Sequence, residues 1–338
     1  MSQAEAPLPW HAAQWRSLAE RLQTGNLPHA LLLTGVGGVG KRRFARRFAK
    51  AVLCERPGAQ HQPCGECRGC TLFEAGSHPD FLFVGPEEEG KDITIGHVRS
   101  LTAQVALKSQ YGRHRLVVLD PADRMNPNAA NALLKTLEEP GPDTLLLLVS
   151  DKVSALLPTI RSRCQQVAFR VPARSEALAW LTAQLESSDT MDSLLALAGG
   201  APLRAIELAR EGGVTHYEGL LTDLEAAIAD ADPVEMAAKW SERPLEETLS
   251  LWYRLFAQLI RLKSGAGQGE EPLAGLSGRL QALADTVDLT GLFAQLDSGL
   301  RAQRLARKQI NRQLLLDELW IGWSETADRR PDNKTRRI

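Results

Sequence analysis

Residues Ala30–Lys41 read ALLLTGVGGVGK. Five residues with no polar alternation, Ala30–Thr34, predict a strand buried on both faces. Gly35-Val36-Gly37-Gly38-Val39-Gly40-Lys41 then follows the phosphate-loop spacing G-x-x-x-x-G-K. Its glycines allow backbone N–H groups to turn around phosphate oxygens at the start of a helix, and Lys41 brings a positive charge to the terminal phosphates. The pattern breaks at the next residue. A Ser or Thr hydroxyl there would hold Mg²⁺, but the chain has Arg42, and a guanidinium cannot ligate a cation. A cradle at Gly35, Gly38, Gly40 and Lys41 is therefore expected without one of its hydrolytic parts.

Further along, Phe81–Val84, Arg115–Asp120, Leu145–Ser150 and the weaker Gln165–Phe169 repeat the strand pattern. Helical patterns at 42–53, 97–108, 126–139 and 153–160 fill the gaps between strands. Such alternation predicts an α/β domain with a parallel sheet, whose ligands sit at the carboxyl ends of the strands. Asp120 falls at such an end, in the place of the Walker B aspartate that orients Mg²⁺. Pro121 follows where ATPases of this architecture carry the Glu that activates water. Two independent motifs thus lack a hydrolytic residue. The residues leave open whether ATP or ADP occupies the loop. Asp123 is read as a surface residue, and Ser150 as either a polar sensor or a helix cap.

From Ser175 the pattern is helical almost throughout: three short helices to Arg210, then longer ones at 217–230, 233–242, 245–263, 273–286, 289–306 and 310–323. Ser264–Pro272 reads as a flexible loop, and the polar tail from Thr326 is expected to be disordered. Arg204 begins a helix where a second sensor arginine would sit, with a packing role as the alternative. Trp240, Trp252, Trp320 and Trp323 read first as core, second as interface anchors.

With 338 residues, 43% of them hydrophobic and a net charge of −1, the composition fits several domains and provides no global basic field for nucleic acid. The basic run Lys41–Lys50 (KRRFARRFAK) reads as a helix with Phe44 and Phe48 inward and its arginines mostly in solvent. No apolar run reaches the length of a membrane span and no signal-peptide pattern opens the sequence, so a cytoplasmic protein is expected.

Four of the five cysteines cluster: Cys54 at the end of the helix after the glycine loop, then Cys64, Cys67 and Cys70 as C-x₂-C-x₂-C. Four soft thiolates fit a closed, structural Zn²⁺ site. His61 or His78 is an alternative fourth ligand. Arg163, in Ser162-Arg163-Cys164 after the fourth strand, is a candidate for reaching the nucleotide of an adjacent subunit.

Taken together, these residues make the chain similar to the delta-prime family of bacterial DNA polymerase III clamp-loader subunits, within the AAA+ group. The resemblance rests on Leu27–Ala30 (LPHA), the cysteine cluster, Cys70–Asp80 (CTLFEAGSHPD), Asn131–Pro140 (NALLKTLEEP), Leu157–Cys164 (LPTIRSRC) and Ile310–Leu316 (INRQLLL). It implies an AAA+ domain over 1–169 with a zinc module at 54–70, a small helical lid over 170–211, a helical collar over 212–325 and a tail over 326–338. It further implies a subunit that does not hydrolyse ATP. Such a subunit supplies Arg163 as an arginine finger in trans, and its partners are gamma/tau motor subunits and a delta subunit in a hetero-pentamer. That assembly places the sliding clamp on primed DNA. An ATP-hydrolysing motor of the gamma/tau type is the alternative.

Overall fold

The apolar runs form the centre of the first of two compact units, Met1–Trp180 with Gly200–Arg204; the second comprises Leu181–Gly199 with Ala205–Ile338. The computed structural model describes residues 6–88, 90–111, 114–185, 190–229, 231–265, 275–306 and 311–328. The first unit runs α1 (Ala12–Gln23), β1 (Ala30–Thr34), α2 (Lys41–Leu53), α3 (Arg68–Glu74), β2 (Phe81–Val84), α4 (Ile95–Val105) and β3 (Arg115–Leu119). It continues with α5 (Pro127–Glu138), β4 (Thr144–Ser150), α6 (Pro158–Arg163), β5 (Gln165–Ala168) and α7 (Arg174–Thr182), whose last residues, Leu181 and Thr182, belong to the second unit.

Among the described residues, five strands form one parallel sheet in the order β2-β3-β4-β1-β5. Successive residues of β1 face opposite sides, as the period of two requires. Leu31 and Leu33 join Trp15, Phe44, Phe48 and Phe73 of α1–α3 on one face. Ala30 and Leu32 join Val98, Leu101, Leu133 and Ile160 of α4–α6 on the other. Burial on both faces explains why these strands lack alternation.

In register, Thr34 lies beside Ser150 and Ala168. The carboxyl ends of β1, β4 and β5 therefore meet at the start of the glycine loop.

Some expectations change. The helix expected at 153–160 is a short turn at Val153–Ala155 followed by α6. Pro158 holds Leu157 extended (ψ 137°) and so prevents one continuous helix. The helix expected from residue 97 starts at Ile95, because Thr94 and His97 cap its start reciprocally. Helix α1 had no sequence-level start signal, and its N-cap, His11, makes no capping bond.

The second unit holds α8 (Met191–Leu197), α9 (Pro202–Arg210, whose first turn belongs to the first unit), α10 (Gly213–Ile228), α11 (Pro233–Ser241) and α12 (Leu245–Lys263). Helices α13 (Ser277–Thr286), α14 (Leu289–Leu305) and α15 (Arg312–Asp328) complete it. The four tryptophans lie in its core, each at most 1% exposed. Trp240 Nε1 donates to Asp223 Oδ2 at 2.8 Å and Trp323 Nε1 to Leu224 O at 3.0 Å. The core reading therefore holds over the interface reading. The expected disordered tail is corrected at its start, since α15 runs through Asp328; residues 329–338 lie outside the described residues, as do Ile310 and most of the loop expected at 264–272. None of the described helices is long and apolar enough to cross a membrane.

Candidate functional site

The glycine loop joins β1 to α2, and Gly40 forms the N-cap of α2 at φ 97°. Gly38 has φ 81°, and a Cβ built there would lie 2.5 Å from Arg204 Cβ, so only glycine admits this approach. The backbone of Leu203 donates to Gly38 O at 3.0 Å. Trp10 Nε1 donates to Val39 O at 2.9 Å, and the His11 ring binds the same carbonyl at 2.9 Å. Burial, chiefly, lowers the His11 imidazole to about 4, with Arg43 and Lys41 adding to the shift, so it is neutral at pH 7.

Lys41 is 3% exposed. Its ammonium donates to Gly35 O and Val36 O, both at 2.6 Å, and pairs with Asp151 Oδ1 at 2.6 Å. Asp151 is held in turn: its backbone N–H donates to Asp123 Oδ1 at 2.9 Å. Arg42, in the place of the Mg²⁺ hydroxyl, pairs through Nε with Asp120 Oδ2. Burial raises the Asp120 carboxyl above its ordinary range, while Arg42 pulls it down and Asp151 pushes it further up. Two cations thus face two carboxylates, and the cradle's positive charge is neutralised from within the chain. The cation position beside Asp120 is taken by a guanidinium. Ser150 Oγ is buried and makes no hydrogen bond, so it caps no helix.

Sequence reasoning missed Asp151 and the role of Asp123; the one available signal was an acid directly after the end of the fourth strand. Arg42 lies mostly in solvent as expected, its side chain 67% exposed, but its pairing with Asp120 was not foreseen. Replacing Arg42 with alanine is expected to cost about 1 kcal/mol at neutral pH, because the exposed partner is screened. The folded-state pKa of Asp120 lies above its unfolded value, so its ionisation opposes folding as pH rises. Removing Arg42 enlarges that effect. In thermal melts the deficit should therefore narrow as pH falls, and Asp120→Asn in the same background should recover most of it.

Arg163 ends α6, ahead of β5, whose first residue Gln165 pairs with Leu31 near the amino end of β1. The glycine loop leaves the carboxyl end of β1, so roughly 10 Å of strand separates the two levels of the sheet. Arg163 Nη2 donates to Glu138 Oε1 at 2.5 Å and Nη1 to Thr159 O at 3.1 Å, with the side chain 35% exposed. Glu138, at the end of α5, fixes the guanidinium without enclosing it.

The four predicted cysteines converge. Their Sγ atoms all lie within 4.8 Å of one another, with 3.6 Å for Cys54–Cys64, 3.8 Å for Cys54–Cys67 and 3.9 Å for Cys64–Cys70. A tetrahedron with metal–sulfur bonds of about 2.3 Å has edges of about 3.8 Å, whereas a disulfide needs about 2.05 Å. Backbone N–H groups donate to the sulfurs: Glu55 and Cys70 to Cys67 at 3.4 Å each, Cys64 to Cys54 at 3.4 Å and Cys67 to Cys64 at 3.3 Å. Burial pushes the Cys54 and Cys70 thiols up. For Cys67 burial also acts upward, but the amides of Cys70 and Glu55 together bring it to about 6. This donor set can hold a metal ion. Neither alternative histidine belongs to the group; His78 Nδ1 instead accepts from the Asp80 backbone at 3.1 Å.

Two family models match this chain. Residues 10–173 match "DNA polymerase III, delta subunit", and residues 212–325 match its C-terminal counterpart. The DNA polymerase III subunit delta' of Pseudomonas aeruginosa is 39% identical over 324 residues, covering 94% of this chain and 97% of that protein. The subunit delta' of Escherichia coli is 29% identical over 316 residues, 93% of this chain and 94% of the relative. The subunit tau/gamma of Haemophilus influenzae is 37% identical over 160 residues, but these make only 47% of this chain and 22% of that protein. Since the delta' relatives match nearly end to end in both directions, the chain belongs to the DNA polymerase III subunit delta' family.

Proposed function

We propose that this chain acts in a clamp loader as a subunit that does not hydrolyse ATP and that serves the nucleotide of a neighbour. The observation carrying this reading is the pairing inside its own phosphate loop. Lys41 is engaged by Asp151 and two carbonyls, and Arg42 by Asp120. Arg163, at the other level of the sheet, keeps its side chain 35% exposed. A guanidinium so placed can stabilise the charge that develops on a transferring phosphoryl group across a subunit boundary.

Its partners in this proposal are gamma/tau motor subunits and a delta subunit in the cytoplasm, and the assembly loads the sliding clamp onto primed DNA. The work divides among an ATPase-like domain (1–169), a lid (170–211) and a collar (212–325). The glycine loop, with Gly35, Gly38, Gly40, Lys41 and Asp120, is a degenerate nucleotide site. Cys54, Cys64, Cys67 and Cys70 hold Zn²⁺. Four thiolates close the coordination shell, so the metal's role is to fold the 54–70 segment.

Phosphate release tests the reading. The purified chain alone should show no Mg²⁺-dependent ATP turnover. Adding it to gamma-type and delta subunits with clamp and primed DNA should raise the turnover of the mixture. A monomer that hydrolyses ATP at a rate abolished by Lys41→Ala would establish the motor alternative instead.

A further inference from the structure

The glycine loop holds an anion of the chain's own. Gly37 falls where the G-x-x-x-x-G-K spacing admits any residue, and its φ lies outside the left-handed region that would demand glycine. What the missing side chain leaves is room. A Cβ built at Gly37 would lie 3.0 Å from Asp151 Oδ2, so a side chain there would crowd the carboxylate. The other oxygen, Oδ1, pairs with Lys41 Nζ at 2.6 Å. One carboxylate thus lies against both the loop backbone at Gly37 and the ammonium that would meet a phosphate.

The sheet delivers Asp151 to this place. Its predecessor, Ser150, ends β4 in register with Thr34, the residue before the loop. The Asp151 backbone N–H donates to Asp123 Oδ1 at 2.9 Å, which ties down the turn after β4. An ammonium has three N–H donors. Gly35 O, Val36 O and Asp151 Oδ1 supply three acceptors for the buried Lys41. The two carbonyls belong to the loop itself, so Asp151 is the partner that an incoming phosphate would replace. Its side chain is 48% exposed and has solvent to move into. A carboxylate carried by its own backbone competes with a dissolved anion as though present at about millimolar concentration or more. It also repels a second anion brought to the same ammonium.

We propose that Asp151 is a built-in phosphate substitute: its carboxylate occupies the anion position of the glycine loop and keeps nucleoside triphosphate out. The inference rests on the reading of this loop as a degenerate nucleotide site and names the residue that closes it. Arg42 blocks something else, since its guanidinium pairs with Asp120 where a metal ion would be held. Asp151 thus acts on phosphate and Arg42 on Mg²⁺.

Fluorescence titration of the full-length chain with a methylanthraniloyl derivative of ATP tests it. The parent is expected to bind more weakly than about 1 mM. Asp151→Ala should tighten binding about tenfold or more, by removing the tethered competitor. Asp151→Asn, which keeps the shape and loses the charge, should fall between. Adding Lys41→Ala to Asp151→Ala should abolish the gain, and added Mg²⁺ should leave it unchanged while Arg42 is present. Arg42→Thr alone should show no such gain, because the carboxylate stays on Lys41. In thermal melts ATP should raise the midpoint of Asp151→Ala and not that of the parent, which also shows that the variant is folded. No gain in either Asp151 variant, or parent binding as tight as theirs, would overturn the proposal and leave the trans role of Arg163 untouched. A parent monomer that hydrolyses ATP would overturn both the proposal and the reading beneath it.

Discussion

In the proposed loader, Arg163→Ala is expected to slow ATP cleavage at the neighbouring site that Arg163 is proposed to serve by roughly 10³-fold or more, the range for an arginine supplied in trans. Single-turnover measurement is required, because any site that Arg163 does not serve would dilute the effect in the steady state. The substitution should leave folding nearly untouched. Arg163 ends a short helix, is partly exposed and has one carboxylate partner, Glu138, itself 49% exposed; such surface pairs contribute about 0–1 kcal/mol. Arg163→Lys should rescue poorly, since an ammonium is a point charge and lacks the planar fork that matches phosphoryl oxygens. Glu138→Ala should give an intermediate defect, because it frees the guanidinium from its orientation without removing it. An Arg163→Ala complex with unchanged single-turnover rate would remove the trans role and leave Ser162-Arg163-Cys164 as a helix end only.

The proposal for Arg163 starts from its position after the fourth strand, and the sheet was legible through the unbroken apolar runs of its central strands. Burial on both faces shows in the composition of β1, β3 and β4, which are buried throughout, so it can be read locally. The contents of the phosphate loop were not local. Nothing in Arg42 itself says that it turns toward Asp120, 78 residues away, or that Asp151 closes on Lys41. Those pairings follow from β1, β3 and β4 ending side by side, which is a fact of strand order. The same limit applies to the basic run of α2. Periodicity placed Phe44 and Phe48 inward correctly, but Arg47 meets Trp15 of α1, and α1 lacked a capping signal from which to be predicted. The cysteines lie at the other extreme. Spacing put the four cysteines first, because Cys64, Cys67 and Cys70 fall within seven residues and Cys54 closes the group from the end of α2; only the alternative of His61 or His78 needed the structure to remove it.

Cys67→Ser is expected to have the largest effect on folding, confined at first to the 54–70 segment. The apolar cluster there consists of the cysteines themselves, with Cys54, Cys67 and Cys70 buried and Cys64 packed against them. Without a metal, little in that cluster offsets the cost of ordering the loop or of bringing four thiols together, two of them, Cys54 and Cys70, pushed up by burial. Structural zinc contributes about 10–16 kcal/mol of binding free energy in small zinc-dependent folds. The choice of serine isolates the metal as the cause. Cys67 is the N-cap of α3 and accepts from the Cys70 backbone, and serine is among the best N-cap residues, so the helix start is retained while the soft ligand is lost. Elemental analysis should find close to one zinc per chain in the parent and little in the variant. Limited proteolysis should then cut between 54 and 70 while the sheet core stays resistant. Cys164→Ser supplies the control: that thiol is buried with Ile160 on the other face of the sheet, and burial pushes it up to about 11, away from the thiolate form a metal needs. Equal zinc in the Cys67→Ser and parent chains would mean that the four sulfurs converge for packing alone, and a melting curve unchanged by chelation would carry the same meaning.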